Sequence, residues 1–212
     1  MEQIYWIIFS IPIMIISATV HEYAHAWVAY KLGDDTAKAE GRLTLNPIAH
    51  LDPIGFLFML FARIGWAKPV PVNIYNFENP LRGQFLVAVA GPVSNLILMV
   101  IGAALLKIVT IIIPDTTFIS TLIIQFFVFF LFINATLAFF NLLPIPPLDG
   151  GNIVDALLPD RFRETWQSIG SFLPWIMLIF VLPVSPFFAI FSNFWYNFIE
   201  TIVFTLLQVF GI

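Results

Sequence analysis

The chain contains no cysteine, which excludes disulfide bridges and every thiolate metal site. Charge is scarce as well. Only 10% of the 212 residues are Asp, Glu, Lys or Arg, against about 25% in a typical soluble domain. The net charge of −4 comes without a basic patch, so no nucleic-acid partner is expected. Internal repeats and low-complexity tracts are missing too. Met1-Glu2-Gln3 lacks the basic residues that open a signal peptide, so the apolar run after it reads as a retained helix.

Apolar length fills the chain instead. Hydrophobic residues make up 60% of it, with a mean hydropathy of +0.94. That balance excludes an ordinary soluble domain and makes lipid the solvent for most of the surface. Hydrocarbon satisfies no backbone N–H or C=O, so spanning pieces must be helices or a closed barrel. The apolar runs are continuous rather than alternating, which selects helices. The expected fold is an all-α polytopic membrane protein and a single membrane-embedded domain over 1–212. A three-helix core occupies 4–158, and one or two further spans lie within 172–210.

The first helix is expected over 4–32; residues 4–20 carry no charge, and Pro12 can kink it. The 33–83 segment is the most polar, and its apolar stretch at 54–65 is too short to span, which suits a re-entrant or interfacial piece. Spans follow at 84–113, interrupted by Gly91-Pro92, and at 118–143. Pro144, Pro146 and Pro147 then forbid helix, and a short helix is expected over 149–158. The stretches 172–190 and 194–210 supply the remaining spans, the first made irregular by Pro174, Pro183 and Pro186. Six of the nine Lys and Arg residues lie in 31–83 and two in 159–171. Those segments are therefore expected on the cytoplasmic side, with the N-terminus outside.

His21, Glu22 and His25 lie deep in the first span. Positions i and i+4 share one helical face, so the two imidazoles can hold one metal ion. Glu22 stands beside them, placed to act as base on an attacking water. Zinc suits such a set, because it takes imidazole and carboxylate ligands and acidifies water. A lone histidine on an apolar face is usually a hydrogen-bonded core residue. Three ionisable groups within five residues of a span are different, because each costs roughly 2.5–3.5 kcal/mol or more at bilayer depth. A catalytic zinc wants a third protein ligand. Asp149 is the best candidate, since Pro146-Pro147-Leu148-Asp149-Gly150-Gly151 directly follows the third span. Asp155 is the fallback, and a plain helix N-cap is the alternative reading of Asp149.

Together these motifs resemble the site-2 protease family. His21-Glu22-Tyr23-Ala24-His25, Ala90-Gly91-Pro92-Val93-Ser94-Asn95 and Asn141-Leu142-Leu143-Pro144-Ile145-Pro146-Pro147-Leu148-Asp149-Gly150 carry the likeness over roughly residues 10–160. The resemblance implies an intramembrane metalloprotease with one Zn2+ held by His21, His25 and Asp149, and Glu22 as general base and acid. It implies transmembrane proteins or peptides as substrates, met within the lipid bilayer. The chain has no room for the PDZ or CBS domains found in other members, so it resembles the compact form.

Asn95 and Asn141 are expected near the metal level, where an amide can bind substrate backbone or an oxyanion. Interhelical hydrogen bonding is the plainer role for each. Alternation at 42–46 and 68–77, with Pro69 and Pro71 allowing only an edge strand, suggests a small re-entrant β-hairpin that pairs with an unwound substrate. His50 reads as a loop-bracing residue. A metal or proton transporter would use the same residue types, but the few spans and missing repeat argue against it. A silent scaffold would have no need of Glu22.

Overall fold

Long apolar stretches satisfy their backbone groups in lipid only as helices, and helices are what these residues form. The computed structural model describes residues 2–62, 65–113, 118–173, 175, 179 and 185–212. The α-helices described are α1 (Glu2–Lys31), α2 (Thr36–Ala39), α3 (Pro53–Ala62), α4 (Pro80–Ile112), α5 (Phe118–Asn141), α6 (Asp149–Leu157), α7 (Asp160–Gly170) and α8 (Phe188–Val209). Three of them, α4, α5 and α8, are long and apolar enough to cross a membrane. With 30 residues, α1 is about 45 Å long, ample for a hydrocarbon core of about 30 Å. The 194–210 stretch falls in α8, whereas most of the expected 172–190 span lies outside the described residues.

Helix α4 is the hub, packed against α1 on one side, α5 on another and α6 near its start. Its start follows local rules. Asn79 caps it by accepting the Arg82 N–H at 3.1 Å, and Pro80 takes the first turn, where no donor is needed. Small residues let the helices close up. Ala103 on α4 and Ala135 on α5 are fully buried in a cluster with Leu106, Leu131, Ile199 and Val203, which ties α8 to the pair. At such distances dispersion replaces the hydrophobic effect as the attraction between spans.

The stretch expected to be re-entrant forms α3, too short to cross, and the chain returns along it. A Cβ on Gly55 would lie 2.3 Å from the Trp66 carbonyl oxygen. The expected β-hairpin is not formed as a ladder. Among the described residues the β pairing is one antiparallel bridge, Leu51 with Ala67. Pro69 and Pro71 remove the donors a ladder would need. The 42–46 arm instead turns into a one-turn 3-10 helix at Pro47–Ala49, capped by Asn46.

Asp34 holds the returning segment in place. Fully buried, its carboxylate accepts from the Thr36 N–H and hydroxyl, the Asn76 amide and the Asn73 N–H at 2.5–3.2 Å. Burial alone would raise this carboxyl's pKa, but hydrogen bonds from Thr36, Asn73 and Asn76 outweigh it and hold the value below the ordinary one. A depressed folded-state pKa means stability that is present above the unfolded value, about 3.9, and is lost as pH falls through the folded value. Replacing Asp34 with Asn is expected to lower stability by about 2–3 kcal/mol at neutral pH. The gap from the parent protein should narrow in acid. Thermal midpoints in detergent across pH 2–7 check both, and a variant as stable as the parent would remove the anchor.

Candidate metal centre

The centre is assembled from two ends of the chain and adjusted by the helix between them. His21 and His25 leave one face of α1, each about 7% exposed. Asp149 arrives from the first residue of α6, after Pro144, Pro146 and Pro147 have ended α5. Glycines make that arrival possible. A Cβ on Gly150 would lie 2.2 Å from the Leu143 carbonyl oxygen, and one on Gly151 would lie 2.6 Å from the Pro146 nitrogen. Any side chain at either position would push Asp149 off the turn.

Hydrogen bonds to the outer nitrogens fix both imidazoles. His21 Nδ1–H donates to Asn95 Oδ1 at 2.6 Å, and His25 Nδ1–H to the Val87 carbonyl at 2.7 Å. The tautomers follow from the network. Asn95 spends its amide protons on the Ser17 carbonyl (3.3 Å) and Asn134 Oδ1 (3.1 Å), so its own oxygen faces His21. Asn134 is oriented in turn by donating to the Phe130 carbonyl at 2.9 Å. The Val87 carbonyl accepts only. Within α4, Pro92 cannot donate to the carbonyl four residues back and crowds it, which loosens the ladder next to Val87.

With both outer nitrogens donating, both Nε2 atoms are bare lone pairs, and they point at each other and at the carboxylate. The two Nε2 atoms are 3.0 Å apart. Asp149 Oδ2 lies 3.1 Å from His21 Nε2, and Oδ1 lies 3.3 Å from His25 Nε2. Asp149 Oδ2 is buried and meets no donor. Three acceptors facing one another with no hydrogen between them repel, and a single proton can join only two. A metal ion satisfies all three. Ligand atoms about 2.0–2.1 Å from a tetrahedral ion stand roughly 3.3–3.4 Å apart, close to the spacing here. Two imidazoles and one carboxylate are a donor set of catalytic zinc and leave a fourth position open. The three residues form the group able to hold a metal among the described residues.

Glu22 is oriented from the opposite side. Its Oε2 accepts the Val70 N–H at 2.9 Å from the segment anchored by Asp34. A cavity of about 830 Å³ opens over the centre, touching His21, Glu22, His25, Asp149 and Asn141 and walled by apolar side chains such as Met14, Phe56, Met59 and Phe140.

The remaining expectations meet mixed geometry. Asn141 lines the cavity, with its amide bonded back to the Leu137 carbonyl. Asn95 does not face the cavity. It is fully buried with its amide protons committed, so its geometry suits holding His21 rather than an oxyanion. Asp149 is not an N-cap, because Leu148 precedes the helix and the carboxylate is turned to the imidazoles. Asp155 stands apart, bonded to Gln84 and Gln167. His50 braces the loop, donating from Nε2 to the Thr44 carbonyl while its own carbonyl takes the Lys68 N–H. Sequence reasoning missed Val87, Asn134 and Asp34. Only the Asn residue inside a span carried a signal, as a polar group that must find a partner in lipid.

Gly91 explains its own motif. A Cβ there would lie 2.4 Å from His25 Nε2 and 2.5–2.6 Å from the His21 ring. Gly91→Ala is therefore expected to fold but to lose bound metal, measured by elemental analysis of the purified protein. Asn95→Leu frees the His21 ring and is expected to weaken metal affinity by about 10–100-fold, read in a chelator competition. Unchanged metal content or affinity would remove the role given to each.

Comparison with known proteins gives a consistent result. The family model described as peptidase family M50 matches residues 103–184, which include Asp149. YwhC of Bacillus subtilis, named as a zinc metalloprotease, is 48% identical over 177 residues, 82% of this chain and 80% of that protein. Rip2 of Mycolicibacterium smegmatis, likewise named, is 30% identical over 180 residues, covering 81% of this chain and 65% of its own. Zinc metalloprotease MJ0392 of Methanocaldococcus jannaschii is 27% identical over 186 residues, 85% of this chain and 44% of that one. No solved structure matches. With relatives this similar over this length, and a donor set that fits zinc, the chain belongs to peptidase family M50, the site-2 protease family of multi-pass membrane zinc metalloproteases.

Proposed function

We propose that this protease hydrolyses peptide bonds in or near transmembrane segments of membrane proteins, in regulated intramembrane proteolysis or in clearing membrane remnants. The observation that carries the proposal is the meeting of three bare acceptors, His21 Nε2 and His25 Nε2 on the long helix α1 and the Asp149 carboxylate at the start of the short helix α6, beneath an apolar-walled cavity. His21, His25 and Asp149 are the zinc ligands in this reading. Zinc held there supplies Lewis acidity, polarising the scissile carbonyl and acidifying the attacking water. Glu22 is the base. Val70 fixes Oε2, so Oε1 takes the proton from water and returns it to the leaving amine. Asn141 lines the cavity with its amide N–H given to the Leu137 carbonyl, and its side-chain oxygen is the acceptor we assign to a substrate backbone N–H.

A transmembrane helix hides its amide bonds, so the substrate must unwind where it is cut. The 65–73 segment, bridged to Leu51 at Ala67, is the edge we assign to receive it. Pro69 and Pro71 have no N–H and the Val70 N–H is taken by Glu22. That edge therefore meets a substrate chiefly through its carbonyls. The Lys and Arg distribution supports an N-terminus outside and a centre reached by water from the cytoplasmic side. Relatives in bacteria and an archaeon support a prokaryotic membrane.

Glu22→Gln is expected to keep one zinc per chain while cleavage of a membrane-embedded substrate in liposomes drops by about 10²–10⁴-fold. His21→Ala and Asp149→Ala are expected to lose the zinc. Normal cleavage by the Glu22 variant would sink the mechanism, and zinc retained after Asp149→Ala would remove the third ligand.

A further inference from the structure

The cavity wall holds a polar group that the proteolytic step does not use. Gln84, Val87, Ala88 and Gly91 follow one another at spacings of three, one and three, so they share the face of α4 turned to the metal centre. Gln84 is half-buried and lines the cavity beside α6. Its Nε2 donates to the Asp155 carboxylate at 3.0 Å and, more weakly, to the Asn152 carbonyl at 3.5 Å. Both partners only accept, so the amide nitrogen faces α6 and Oε1 is turned away from it. Among the described residues Oε1 meets no donor, and it is not one of the fully buried polar atoms left without a partner. Asp155 is itself steadied from α7, accepting from Gln167 Nε2 at 3.2 Å.

A tie between α4 and α6 does not by itself call for glutamine. Lysine or arginine bonds a carboxylate more strongly than a neutral amide does. Arg163 is at hand, yet it gives its guanidinium to the Asp155 and Leu158 carbonyls and to Asp160. What the amide brings to position 84 is a fixed oxygen in an otherwise apolar wall. We infer that Gln84 Oε1 accepts a backbone N–H of the bound substrate, with Asp155 as the positioning residue that aims it. The inference rests on the proteolytic reading of the cavity and adds how the substrate is held there. Beyond its first turn a helix has its N–H groups bonded internally, so this contact selects an unwound segment. Gln84 stands two turns, about 10 Å, along α4 from Gly91, which packs against the His21 and His25 rings. An extended chain covers that distance in about three residues. The bonded residue therefore lies about three positions from the cut, and a proline there has no N–H to offer.

The test measures binding apart from cleavage. Zinc-loaded Glu22→Gln protein in lipid nanodiscs is titrated with a fluorescent transmembrane peptide of leucine and alanine carrying a central Gly-Ser pair. A set of the same peptide, N-methylated at one backbone position at a time, is titrated beside it. One position is expected to weaken binding by roughly three- to tenfold, the worth of one hydrogen bond. Gln84→Lys keeps a donor for Asp155 and removes the acceptor. It is expected to weaken binding of the unmethylated peptide by a similar factor and to erase the effect of methylation at that position. Gln84→Leu should behave alike, and unchanged zinc content reports folding of both variants. A peptide that does not bind, affinity indifferent to both substitutions, or a methylation effect that survives them would each overturn the inference. Cleavage of the peptide by the parent protein is read separately. Binding with the expected pattern but no cleavage would uphold the Gln84 contact and count against the proposed function.

Discussion

Everything at the centre of this protein depends on lone pairs that have no protons to share. Two imidazoles are forced into the same tautomer by acceptors behind them, and a carboxylate is brought to their front. In a low-dielectric interior such a convergence is unstable by itself, and a divalent cation turns it into a bound site. The selectivity of the arrangement comes less from the three ligands than from the Asn95 and Val87 acceptors, which decide where each proton sits.

That demand shapes α4. The helix must offer a carbonyl at Val87, empty space at Gly91 and an amide at Asn95, all on the face turned to α1. The three positions are four residues apart, one ridge of a helix. The Gly91-Pro92 interruption, which reads as a weakness in a spanning helix, is where imidazole rings occupy the volume a side chain would take. Asn95 continues into Asn134 on α5, so the helix that leads to Asp149 is tied to the same network.

The other side of the site is governed by a polar clasp outside the spans. Asp34 collects donors from residues 36, 73 and 76 and lays the returning segment over Glu22. One backbone N–H, that of Val70, then selects which Glu22 carboxylate oxygen is held and which is left free. The function proposed above calls for a polar reaction kept wet and an apolar substrate kept solvated. The mixed walls of the cavity, charged at its base and apolar around it, meet both needs.

The sequence by itself determined the helical class, the spans at 84–113 and 118–143, the one-sided pair His21 and His25, and the helix stop before Asp149. These are local facts, set by period, hydropathy and proline. It overstated the hairpin, because alternation was visible while the register that Pro69 and Pro71 spoil was not. It left Asn95 open between substrate binding and interhelical hydrogen bonding, since nothing local tells which way an amide in a span points. Only the tertiary structure decided that Asp149 rather than Asp155 meets the histidines, that Val87 orients one ring, and that Asp34 governs Glu22. Those contacts join residues tens of positions apart, and hydrogen-bond partners chosen across helices leave no period in the chain.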